Sequence, residues 1–146
     1  NGHEPAEFLQ AVSKQFKVCP ADSAPVDASG KAKMYLSGQW YELAWESSAD
    51  DPVSSLDVSV LQDRLLHPIL GVKDPRTDSR IDFVGGIRGT GELEERVNNG
   101  DSRVAFALHQ VSIDQLMDVA DAGDIMPPKS TWFEPKLRSG LFIHTF

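Results

Sequence analysis

The chain has 146 residues, a length suited to one compact domain, and a net charge of −8 from 14 basic and 22 acidic side chains. That balance argues against broad binding to nucleic acid or to an anionic membrane, and no apolar run approaches the roughly 18–20 residues needed to cross a bilayer. Cys19 is the only cysteine, which excludes an internal disulfide and a cysteine metal cluster and suits a reducing cytoplasm.

Pro5 to Phe16 reads as an amphipathic helix, with Pro5 in the first turn and Phe8, Leu9, Val12 and Phe16 at helical spacing. Cys19 to Lys31 reads as a connection without a clear period. Ala32–Leu36 and Gln39–Trp45, joined by Ser37-Gly38, predict a β-hairpin rich in aromatic residues. The next helix spans about Asp57 to Leu66, with Val60, Leu61, Leu65 and Leu66 on its apolar side, and Pro68 ends it. Gly71 to Ser79 is a loop, and Ile81–Val84 is a short apolar strand.

Thr90 can cap a helix running to about Val97, which Asn98-Asn99-Gly100 stops. Val104–Leu108 predicts a buried strand. Ser112 caps a helix to about Ala122, with Ile113, Leu116, Met117 and Ala120 expected inward. Met126 to Leu141 holds prolines at 127, 128 and 135 and reads as a stiff irregular segment, and Leu141–Phe146 closes the chain as a strand. The expected fold is therefore α+β: a single domain over residues 1–146, with a mixed or antiparallel sheet that contains a hairpin and is covered by three to four helices.

Two segments carry candidate anion-binding chemistry. Lys73, Asp74, Arg76, Asp78, Arg80 and Asp82 run into Gly85-Gly86 and Arg88-Gly89. Arginine forks match phosphate or carboxylate, and glycines let backbone N–H groups approach an anion. The alternating aspartates offer a competing arrangement, in which each arginine pairs locally and orders the loop. The second segment supplies Lys129, Ser130, Thr131 and Lys136, where Lys neutralises phosphate and hydroxyls bond it. Convergence of Lys129 and Ser130 with Arg76, Arg80 or Arg88 would make a phosphate site. Its plain alternative is a structural loop with Trp132 and Phe133 plugged into the core. The four histidines lack paired metal spacing, and no metal site is expected.

Leu56-Asp57-Val58-Ser59-Val60-Leu61, His67-Pro68-Ile69-Leu70-Gly71, Ile81-Asp82-Phe83-Val84-Gly85-Gly86, Val104-Ala105-Phe106-Ala107-Leu108 and the run from Met126 to Leu141 occur in this order. As a set they resemble the C-terminal part of the bacterial and archaeal family catalogued as domain of unknown function 1015. Members of that family are longer and resemble ParB/sulfiredoxin-type nucleotide-binding domains upstream, with an Asp-Gly-His-His-Arg motif that this sequence lacks. The resemblance implies a C-terminal domain of a longer cytoplasmic prokaryotic protein, with the upstream half as its partner and a nucleotide as the whole protein's cofactor.

Three functions follow as expectations. The domain completes a cleft or interface for the upstream half and is inactive alone. Alternatively, it is the phosphate-binding half of a nucleotide-dependent kinase-like or phosphatase-like enzyme acting on a small metabolite such as serine or phosphoserine, with a small phosphorylated metabolite as partner. As a third reading, it is an oligomerisation domain that uses the hairpin edge at residues 32–45. Fold analogy alone does not choose among them.

Overall fold

A computed structural model describes residues 4–22, 26–46, 51–85, 89–127 and 129–131. The expected strand Leu141–Phe146, the aromatics Trp132 and Phe133, and the candidate residues Arg88 and Lys136 lie outside them.

Helix α1 covers Pro5–Ser13, with Glu4 extended ahead of it and Pro5 at its start. Its Phe8 and Val12 are buried. It is shorter than expected because its last turn tightens: Lys14 N–H donates to Ala11 O at 3.3 Å and Gln15 N–H to Val12 O at 3.0 Å, each three residues back. Strand β1, Lys17–Ala21, then occupies residues read mostly as connection. Pro20 and the surface-facing Lys17 hide it in the sequence, and an edge strand tolerates both.

Strands β2 (Lys31–Leu36) and β3 (Gln39–Ala44) form the expected hairpin. Its turn has φ of 50° at Ser37 and 83° at Gly38, the two left-handed residues of a tight primed turn. Strand β4, Val104–Leu108, pairs with β2. The four-stranded order is β1-β3-β2-β4, and every pairing is antiparallel. Both hairpin strands are therefore central. An oligomer built on the hairpin edge finds no free backbone there, because β1 and β4 already occupy both sides.

Alternation along β2 divides the core in two. Ala32, Met34 and Leu36 face α1 and the next helical segment, where Phe8, Val12, Phe16, Leu43, Val60 and Leu65 complete the main core. Tyr35 faces the other way and meets Trp40 and Ala105, covered by Leu93 and Val97. These two belong to α3, Gly91–Asn98. Two polar contacts fix α3 to the sheet: Trp40 Nε1 donates to Glu94 Oε1 at 2.7 Å, and Tyr35 Oη donates to Asn98 Oδ1 at 3.2 Å. Thr90 has helical backbone angles and makes no side-chain cap, so α3 starts without the expected capping hydrogen bond.

The helix expected over Asp57–Leu66 splits into α2, Asp57–Leu61, and a π-helical turn, Gln62–Leu66. Pro68 has no N–H to offer and its ring crowds the carbonyl four residues back, so the turn before it widens. His67 N–H accordingly donates to Gln62 O, five residues back, at 2.9 Å. Ile81–Val84 is not a strand. Phe83 N–H donates to the Asp82 side chain rather than to a ladder, and Phe83 is 43% exposed.

Helix α4, Ile113–Asp121, opens with a complete capping box. Gln115 N–H donates to Ser112 Oγ at 3.1 Å, and Ser112 N–H donates to Gln115 Oε1 at 3.0 Å. Its rotation corrects the expected inward face: Val119 is buried and Leu116 half-buried, whereas Ile113, Met117 and Ala120 point outward.

The main core predicts a large cost for truncation at its centre. Leu43 is fully buried. Leu43→Ala should lose about 2–5 kcal/mol in urea unfolding, and a loss below about 1 kcal/mol would show that β3 is not central to the fold.

Candidate functional site

The arginine loop is built from two successive Asp-x-Arg turns. Asp74 Oδ1 accepts the Arg76 backbone N–H at 3.0 Å and Nε at 2.9 Å, while Oδ2 accepts Nη2 at 2.7 Å. Asp78 repeats the pattern on Arg80, at 3.0, 2.9 and 2.6 Å. Hydrogen bonds from these guanidinium groups hold both carboxyls at about 2. Arg80 also donates to the carbonyls of Leu70 and Gly71, each at 3.2 Å, and so ties the loop to the chain leaving the π-helical turn. The third aspartate, Asp82, meets Arg96, which also holds Glu92 at 2.7 Å.

Arg76 and Arg80 thus adopt the local pairing that the alternating charges offered. Lys129 is exposed, in a turn with φ of 61°. Ser130 closes the turn by directing its N–H and its hydroxyl to Pro127 O, at 3.3 and 2.6 Å. Thr131 is half-buried beside it. Among the described residues, no hydrogen bond or ion pair joins the Lys129 turn to the arginine loop.

Arginine pairing sets a titration test. Asp74 and Asp78 have depressed values, so their contribution to stability is present above the ordinary 3.8 and is lost as pH falls toward about 2. Arg80→Gln should return the Asp78 carboxyl toward 3.8 and leave Asp74 near 2, read from carboxyl carbon NMR. An unmoved Asp78 would show that Arg80 is not its partner in solution.

A second polar cluster lies on the open half of the sheet. A shallow hollow of about 440 Å³ is bordered by Cys19, Asp22, Asp27, Lys33 and Glu42. Lys33 is buried, and its Nζ meets Glu42 Oε2 at 2.8 Å. Lys31 reaches Glu42 at 3.4 Å and Asp27 at 3.7 Å. The hydrogen bond from Lys33 lowers the Glu42 carboxyl pKa. These are cross-strand charge pairs that neutralise the floor of the hollow.

Asp57 is the buried carboxylate of the described residues. Its Oδ1 accepts Gly30 N–H at 2.9 Å and Ser29 Oγ at 3.1 Å, and so ties the entry of β2 to the start of α2. Burial raises its pKa, against the lowering effects of Gly30, Ser29 and nearby His109. The stability linked to this proton is complete below the ordinary 3.8 and is lost as pH rises through the raised value. Wild type should therefore gain stability relative to Asp57→Asn as pH is lowered from neutral toward about 4. Urea midpoints for the two proteins that keep a constant gap over that range would show an ordinary carboxyl.

The third feature is the outer side of α4. With 3.6 residues per turn, Ile113, Met117 and Ala120 form one stripe, and Asp114, Asp118 and Asp121 form the next. Ile113 is 78% exposed, Met117 54%, and Ile125 beyond the helix 87%. Spacing alone predicts this apolar stripe in the core. The available signal was the second stripe at Leu116 and Val119: one short helix carries more apolar positions than one buried face can take.

No group of histidine, cysteine or carboxylate side chains among the described residues is placed to hold a metal ion. No described helix is long and apolar enough to cross a membrane. Comparison with protein families, with curated proteins and with solved structures finds no match.

Proposed function

We propose that this chain is an interface domain: the C-terminal α+β domain of a longer cytoplasmic protein of the kind its sequence resembles, completing a cleft or contact surface for an upstream nucleotide-binding-like half. The observation that carries this reading is the outward apolar side of α4. Exposed single apolar residues are ordinary on a protein surface, but Ile113 and Met117 stack one turn apart and Ile125 follows close by in sequence. A rigid helix end, fixed by the Ser112–Gln115 capping box, presents them. Contact surfaces are built around such anchors, with polar groups at the rim.

The arginine loop has a supporting role in this reading. Its forks order residues 74–80 and secure the chain after the π-helical turn. The domain contributes surface, and any phosphate chemistry belongs to the whole protein. Hydrogen exchange gives the test, comparing this chain alone with the longer polypeptide that contains it. Residues 113–125 should exchange at least about tenfold more slowly in the longer polypeptide, and Met117→Asp should abolish that protection. Equal exchange in both would remove the basis of the reading.

A further inference from the structure

We infer that the α4 face takes a cationic amphipathic segment, one that sets apolar side chains on Ile113 and Met117 and Lys or Arg along Asp114, Asp118 and Asp121. The inference rests on the reading of α4 as a contact surface and adds the chemistry of the partner. The geometry is that of two adjacent stripes. The apolar stripe supplies seats for anchors one helical turn apart, and the aspartate stripe flanks it on the side away from buried Val119.

The electrostatics point the same way. Asp114 and Asp118 are four residues apart, where like charges repel. Asp118 and Asp121 lie toward the negative end of the helix, and the last turn contains no basic residue. Asp124 adds a fourth carboxylate just beyond the end. None of the four has an ion-pair partner among the described residues. Asp74, Asp78 and Glu42, by contrast, are held by arginine or lysine. The helix therefore carries uncompensated negative charge beside its exposed apolar stripe, and a cationic partner relieves the one while covering the other. An anionic lipid surface would be repelled by the same aspartates, as would an acidic peptide. The net charge of −8 also draws a cationic segment toward the domain from a distance.

The test uses this chain and two synthetic helical peptides, one of leucine and lysine and one of leucine and glutamate in the same pattern. The leucine–lysine peptide should shift the Ile113 and Met117 methyl resonances. Its affinity should fall severalfold as salt rises from about 50 to about 200 mM. Asp118→Lys with Asp121→Lys, both at exposed positions, should weaken it at least about tenfold, and Met117→Asp should weaken it comparably. Equal binding of the leucine–glutamate peptide would overturn the inference, as would an unchanged affinity in the charge-reversed variant. It would also fail if Ile113 and Met117 stayed unmoved, or if self-association occupied the face without peptide. If the longer polypeptide protects residues 113–125 equally well with the two aspartates reversed, the interface stands and the cationic partner does not. If the cationic peptide binds and the longer polypeptide gives no protection, the reverse holds.

Discussion

The fold depends on one tight turn. Ser37 and Gly38 both take left-handed backbone angles, and that twist matches the pair of strands they join. The hairpin then sits at the centre of the sheet with a neighbour on each side. A central strand must bury side chains on both faces. In β2, Met34 and Leu36 serve one core and Tyr35 the other. The two helical layers follow from this alternation, with α1 and α2 over one face and α3 over part of the other. The half of that second face left open carries the Lys33–Glu42 pair and the shallow hollow.

Charge is used in two ways in this acidic chain. Within the loop at residues 74–80, aspartate sits two positions before arginine, so one carboxylate can take both the backbone N–H and the guanidinium edge. These paired hydrogen bonds to a single carboxylate fix loop geometry more than they contribute energy, since both arginines are largely in solvent. Arg80 extends the order to the chain leaving the π-helical turn through two carbonyls. On α4 the aspartates have no such partner among the described residues. Local pairing thus orders the loop, while the aspartates of α4 lie at the surface proposed to meet another molecule.

Much of the architecture was legible from local pattern. The hairpin, α1, α3, β4 and α4 all follow from residue spacing, turn chemistry and capping, and each of those signals lies within a few residues. The misreadings share a different cause. Strand β1 has Pro20 and only two half-buried positions, so its pairing with β3 shows in three dimensions and not in its own sequence. Ile81–Val84 is apolar enough for a strand but is held by side-chain bonds at Asp82. The rotation of α4 could not be read from spacing alone. Two apolar stripes satisfy the same periodicity, and which one faces inward depends on what packs against it. The arginine pairings were visible as one of two arrangements, because a two-residue separation permits a local turn but does not compel it.

The rotation of α4 bears directly on function. A nine-residue helix offers only one face to a core, and here that face is taken by Val119 with Leu116 and Gln115 half-buried beside it. Turning the helix would hide Ile113 and Met117, but it would carry the inward Leu116–Val119 stripe outward in exchange. No rotation buries both stripes on one side of the helix. The helix therefore carries more apolar surface than the described residues cover, and the capping box holds its first turn in a defined geometry. Such a surface costs solubility unless something restrains it. The adjacent aspartates supply that restraint through like-charge repulsion between copies, while leaving the face open to a partner of opposite charge.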